Sequence, residues 1–164
     1  MKMVILLIGF LVLGATCFAD PVEGYWVSID DKTGRATAGW QIYTEHGQLY
    51  GKILSISGYP QDVKALKCKK SYRGFPFAGD VSAMPVIGTP WIFGLQLVRN
   101  GEWSKGNIID PESGNMYQCR IIFHAADGKR YSLDTLEMRG EIGLGIGRSQ
   151  FWRKSTHEES AGLR

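Results

Sequence analysis

The chain has 164 residues, 19 basic against 16 acidic side chains for a net charge of +3, 21 glycines and 12% aromatic residues. So small a basic excess gives no case for nucleic acid or a membrane as the partner of the chain as a whole, and the length suits one domain with its own core. Many glycines with only 6 prolines point to short strands joined by tight turns.

The chain opens with Lys2 and an apolar run from Val4 to Leu13, broken only by Gly9. That run is shorter than the ~20 residues of a helical membrane span. Cys17 and Ala19 place small residues two apart, and Asp20 is the first charge after Lys2. This is the pattern of a secretory signal, with cleavage expected between Ala19 and Asp20. An uncleaved anchor would want stop-transfer charges after the run. Acylation of Cys17 is disfavoured because Gly14 and Thr16 stand where that route wants Leu and a Gly or Ala. The expected product is exported, to a periplasm or out of the cell. Its parts are a signal peptide (1–19), a β-barrel domain (20–154) and a flexible tail (155–164).

In the mature chain, 23–29 alternates Tyr25, Val27 and Ile29 against Trp26 and Ser28, which is a strand. Asp30 to Gly34 is a turn, 37–45 a second strand, His46-Gly47 a hairpin signal and 48–56 a third strand. The stretch 57–90 is rich in glycine and proline and too long for an ordinary hairpin, so it covers an opening or carries function. A short helix near Asp62 to Cys68 fits within it. Further strands are expected at 91–98, 103–109, 116–124, 131–139 and 148–154. Asp110-Pro111-Glu112-Ser113-Gly114 is a turn in which Asp110 caps backbone N–H groups, and this explains the Asp110/Glu112 pair better than a carboxylate site does. Eight strands in even order, with no long helical period, predict a single all-β, eight-stranded antiparallel up-and-down barrel.

Signal cleavage would leave Cys68 and Cys119. In an oxidising compartment a disulfide is their simplest use, and two separate thiols are the alternative. Trp40, Trp91, Phe93, Trp103, Tyr117 and Phe123 lie in predicted strands and either line an apolar ligand pocket or fill a packed core. Lys64, Lys67, Lys69, Lys70 and Arg73 form a basic loop, 64–73, in which Lys67, Lys69 and Lys70 could meet an envelope protein or an anionic surface. His46, His124 and His157 lack metal-ligand spacing. No catalytic set or phosphate loop is legible, so no catalytic residue, metal or cofactor is assigned.

Gly24-Tyr25-Trp26 resembles the Gly-x-Trp that opens a lipocalin barrel. A wider set resembles an exported bacterial domain-of-unknown-function family, number 2147, with a lipocalin-like or fatty-acid-binding-protein-like barrel. That set is Gly24-Tyr25-Trp26 again, Asp31-x-x-Gly34, Leu49-Tyr50-Gly51-Lys52-Ile53, Trp103-x-x-Gly106-x-Ile108-x-Asp110-Pro111-x-x-Gly114, Tyr117-x-Cys119, Arg139-Gly140-x-Ile142-Gly143, Gly147-Arg148 and Gln150-x-Trp152. The resemblance implies that Trp26 closes the barrel under Arg148 or Arg153, and that the exported barrel binds a small hydrophobic molecule; it implies no established activity. The function expected of the chain is therefore binding of a small hydrophobic or amphipathic, lipid-like ligand without catalysis. An envelope interaction module with a packed interior is the other reading. Ala65 stands where the family often has a second cysteine, so a Cys-x-x-Cys site is not available. Met84, Val86 and Ile87 in the long loop could line or lid a cavity.

Overall fold

A computed structural model of the chain describes residues 19–143 and 145–164. The expected signal segment thus lies, apart from Ala19, outside the described residues. Eight strands follow in order: β1 (Gly24–Ile29), β2 (Ala36–Glu45), β3 (Gln48–Ile56), β4 (Pro90–Arg99), β5 (Glu102–Asp110), β6 (Asn115–His124), β7 (Thr135–Glu141) and β8 (Gly147–Ser155). Each pairs antiparallel with the next, and β8 pairs with β1, so the sheet is a closed barrel. The expected all-β, eight-stranded up-and-down architecture is the one found. Closure satisfies the backbone of every strand and leaves no edge for another chain to extend. Burial alternates residue by residue along β3, the period-two pattern of a strand with one face inward.

Two expected elements differ. The seventh strand starts at Thr135 rather than 131. Asp127 Oδ1 accepts the backbone N–H groups of Lys129 and Tyr131, and Asp134 Oδ1 accepts that of Ala126. These local bonds hold the segment in a turn and compete with the ladder. The helix suggested near Asp62 to Cys68 is absent. Ala65 N–H instead donates to the Met84 carbonyl and Val86 N–H to the Val63 carbonyl, so the two halves of the long loop satisfy each other.

The barrel has two unlike ends. At the closed end, Val22, Trp26, Trp103, Ile121 and Leu136 are buried and Trp26 meets Phe123 edge-on at 6.3 Å. Trp26 Nε1 donates to the Val22 carbonyl at 2.8 Å. The cation over its ring is Lys154, with Nζ 4.4 Å from the centroid; the same ammonium donates to the Glu23 carbonyl. This corrects the expectation of Arg148 or Arg153. Trp26 pairs across the β1–β8 ladder with Lys154 and Val27 with Arg153, so Arg153 points to the opposite face, where it pairs with Glu159. Arg148 lies at the far end of β8, bonded to Asp31 at 2.8 Å. Gly24 has φ +119°, and a Cβ there would come 3.1 Å from Lys154 Nζ. The glycine of the Gly-x-Trp sequence therefore makes room for the lysine that covers the tryptophan.

The last residues, expected to form a loose tail, are packed. Thr156 caps the short helix α1 (His157–Ala161). Ser160 is fully buried; its carbonyl accepts from Ser55 Oγ at 2.6 Å and its hydroxyl donates to the Trp26 carbonyl. The helix reaches the wall because Gly39 has no side chain: a Cβ there would lie 1.7 Å from the Ser160 carbonyl oxygen. Replacing Gly39 with Ala should cost about 1–3 kcal/mol in urea unfolding. That cost should largely vanish in a chain ending at Thr156, each compared with its own Gly39 parent. An equal cost in both backgrounds would show that α1 is not what Gly39 accommodates.

Glu102 is buried between Arg99 and Arg120. Arg120 foremost, then Arg99, holds its carboxyl below the ordinary value of 4.5. A depressed folded-state value means stability that is fully present above the ordinary value and is lost as pH falls through the folded one. Glu102→Gln should therefore be less stable than the parent at neutral pH, and the gap should close in strong acid. Chemical unfolding across that range checks it, and a gap independent of pH would refute the ion-pair account.

Candidate ligand-binding cavity

Inward positions of seven strands converge on the open end. Its floor is the Trp40 indole, stacked on Trp152 with centroids 4.7 Å apart and an interplanar angle of 21°. Trp152 Nε1 donates to Gln150 Oε1 at 3.3 Å, whereas Trp40 Nε1 is buried without a partner, an omission that costs about 1–3 kcal/mol. Ile53, Ile108 and Met138 form much of the wall. Gly140 contributes space: a Cβ there would reach no closer than 3.5 Å to Tyr117. Ser28 and Thr37 share a hydroxyl–hydroxyl bond of 2.7 Å, and Ser28 Oγ also accepts the Ala38 N–H, so these polar groups are already satisfied. The cavity, open at its mouth, has a volume of about 830 Å³, within the range of small-molecule sites.

Three connections line the mouth. The long loop supplies Tyr59, Leu66, Lys64 and Lys67, and the β7–β8 connection supplies Ile142 and Ile146. Arg148 stands at the rim, held by Asp31. Asp110 and Glu112 also reach it, in the turn read from the sequence: Glu112 N–H donates to Asp110 Oδ1 at 3.0 Å and Ser113 Oγ to Asp110 Oδ2 at 2.6 Å.

A family model described as "Uncharacterized protein conserved in bacteria (DUF2147)" matches residues 24–154. The chain belongs to that family. The matched span runs from Gly24 to Lys154, the two residues that meet beside Trp26, and leaves α1 outside it. Among solved structures, the chain is similar to protein HP1028 from the human pathogen Helicobacter pylori, described as belonging to the lipocalin family. The TM-score is 0.64 and the identity 14%, with 84% of each chain covered. At that identity the likeness shows the fold, and the fold is lipocalin-like. No curated protein matches the chain.

Against this family fold, the six aromatic residues singled out from the sequence separate into three places. Trp40 and Tyr117 line the cavity. Trp103 and Phe123 face inward at the closed end: Trp103 pairs with Ile121 across the β5–β6 ladder and Phe123 meets Trp26. Trp91 and Phe93 are outside the barrel. Ile92 faces inward, where a Cβ on Gly51 would touch both it and Ile42, so its neighbours face outward. There Phe75 of the long loop packs on Trp91 and Phe93, at 6.1 and 5.4 Å, and Trp91 Nε1 donates to the Val86 carbonyl. Of the three loop residues suggested as a lid, Val86 lines the cavity, while Met84 and Ile87 pack on the core. Met138 was not singled out from the sequence, and Gly140 entered only within the family motif, although the alternation Leu136-x-Met138-x-Gly140 carries the signal. Ile142 likewise entered only within that motif and Ile146 not at all, because both sit in a glycine-rich turn without a period.

The histidines lie outside the cavity. His124 Nε2 is 2.9 Å from Glu137 Oε2 and its ring stacks on Tyr131. Ser149 Oγ donates to the other Glu137 oxygen, so the hydroxyl is bonded to the carboxylate rather than to the imidazole, unlike a nucleophile with its base. Glu137 alternates with the inward Met138 and faces outward. Among the described residues, no three His, Cys, Asp or Glu side chains form a metal-holding group.

The disulfide expected between Cys68 and Cys119 is not formed; both are free and buried. Cys68 belongs to the long loop, with Sγ directed at the Pro111 carbonyl. Cys119 lies mid-β6, opposite Gly106 and Gly140. Burial raises the pKa of both thiols, which lowers the thiolate fraction that alkylating agents need. Protein unfolded without reductant should yield two titratable thiols, and the folded protein should be alkylated far more slowly. A single mass with both cysteines protected after unfolding would restore the disulfide.

Proposed function

We propose that the protein is exported and carries a small apolar or amphipathic molecule in the open end of its barrel, without catalysis. The observation that carries this reading is the cavity: about 830 Å³ bounded by Trp40, Ile53, Ile108 and Met138, apolar surface that a guest of the same character would keep from water. The lipocalin-like fold supports it, as barrels of this strand number are wide enough for one small ligand. The polar groups within, Ser28 and Thr37, bond to each other, which suits binding better than acid–base chemistry. Export rests on the signal pattern of residues 1–19. The other reading, an interaction module with a packed interior, asks for a filled barrel, and only the closed end is filled.

Native mass spectrometry of residues 20–164 from the natural compartment, followed by organic extraction, should reveal a defined bound molecule. A clean apo mass with no uptake from a panel of fatty acids and phospholipids would overturn the proposal. Gly140→Phe should fill the cavity from its wall. It should weaken uptake of an apolar naphthylamine probe by about tenfold or more while leaving the far-ultraviolet spectrum unchanged.

A further inference from the structure

The mouth of the cavity has an unusual surface. Tyr59, Leu66, Ile142 and Ile146 all line it, yet they are 54%, 67%, 70% and 63% exposed. Phe77, also 53% exposed, belongs to the same long loop. An apolar ring open to water at one end of a barrel is a surface lacking a partner. Cations accompany it. Lys64 and Lys67 line the mouth, and Lys69, Lys70 and Arg73 continue the loop with Asp62 alone opposing them between residues 62 and 73. Among the described residues, the side chains of Lys64 and Lys67 make no ion pair. Arg148, whose side chain also lines the mouth, is tied to Asp31.

We propose that this end of the barrel docks on an anionic phospholipid bilayer, with Leu66, Ile142, Ile146 and Tyr59 entering the interface and Lys64 and Lys67 meeting the headgroups. The inference rests on the cavity reading and deepens it by naming the source of the ligand. The apolar ring and the unpaired lysines share one face, so the two forces that hold peripheral proteins on membranes act together. The same ring is continuous with the cavity wall, so an apolar molecule could pass from bilayer to barrel without exposing its surface to water. Asp110 and Glu112 stand on the same mouth, but among the described residues neither pairs with a lysine, and Asp110 accepts the turn bonds of Glu112 N–H and Ser113 Oγ. A protein partner or a second copy of the chain would cover the apolar residues too, but neither accounts for the basic excess of the loop beside them.

Cosedimentation of residues 20–164 with phosphatidylglycerol vesicles and with phosphatidylcholine vesicles tests this. Binding should be strong to the anionic vesicles at low ionic strength, weak to the zwitterionic ones, and reduced by salt. Two double variants, Lys64→Glu with Lys67→Glu and Leu66→Asp with Ile142→Asp, should each weaken it by about tenfold or more while keeping the parent's melting transition. Gly140→Phe should bind vesicles like the parent, because it alters the cavity and leaves the rim. Vesicle binding with no ligand uptake by the parent would therefore refute the cavity and leave the docking surface standing. Failure to sediment with phosphatidylglycerol, or equal sedimentation of the folded rim variants, would overturn the docking. So would a dimer in sedimentation velocity that the rim variants abolish without any vesicle binding, which would assign the ring to a second copy.

Discussion

Trp26 sits where the first and last strands meet. Its backbone belongs to the β1–β8 ladder, its indole fills the closed end, and Lys154 from the far end of the sequence lies over its face. Were this seam open, β1 and β8 would both present unpaired backbone, and the tilt that brings eight strands round to a common interior would have nothing to hold it. The seam explains why Gly24 is glycine and why Lys154 rather than a neighbouring arginine covers the ring. Closing the barrel at one end also leaves the other to be shaped by its loops.

The interior is accordingly divided. Below the Trp40–Trp152 stack the barrel is a packed core; above it the wall is lined but unfilled. The long loop serves a different purpose from a simple lid. Phe75 binds its middle to Trp91 and Phe93 on the outer wall, and the Tyr72 hydroxyl donates to the Gly114 carbonyl at 2.8 Å. These anchors make a second small core outside the barrel and hold one side of the mouth in place. The stretch bearing Tyr59, Lys64, Leu66 and Lys67 is thereby presented on a fixed support, which is how a binding surface keeps its shape.

The strands were legible because their cause is local. Alternation shows in any six or seven residues, and Asp30 and Asp110 announce their turns through bonds to the next few backbone groups. The aromatic residues were harder to place because alternation tells that faces differ without telling which is inner. That depends on the register of β4 against β3, where Ile92 stands opposite Gly51, a fact held by two distant segments. Trp103 and Phe123 were on the inner face but at the other end, and depth along the barrel leaves no local trace. The choice between Arg148 and Arg153 failed for both reasons, since parity excludes Arg153 and depth excludes Arg148. The disulfide expectation used the count of cysteines and the compartment, and neither carries geometry. The rim aliphatics were passed over because an apolar residue in a glycine-rich turn has no period to betray it.

The packing of α1 bears on when this fold can form. Ser160 donates to a carbonyl 134 positions earlier in the chain, and β1 finds its second neighbour only in β8. Hairpins such as β2–β3 can pair as soon as they exist, but the seam needs both ends of the polypeptide, and bringing them together is the slow part of assembling such a topology. β1 therefore waits for its second partner until β8 has been made and the two have met, and until then it presents an unpaired edge.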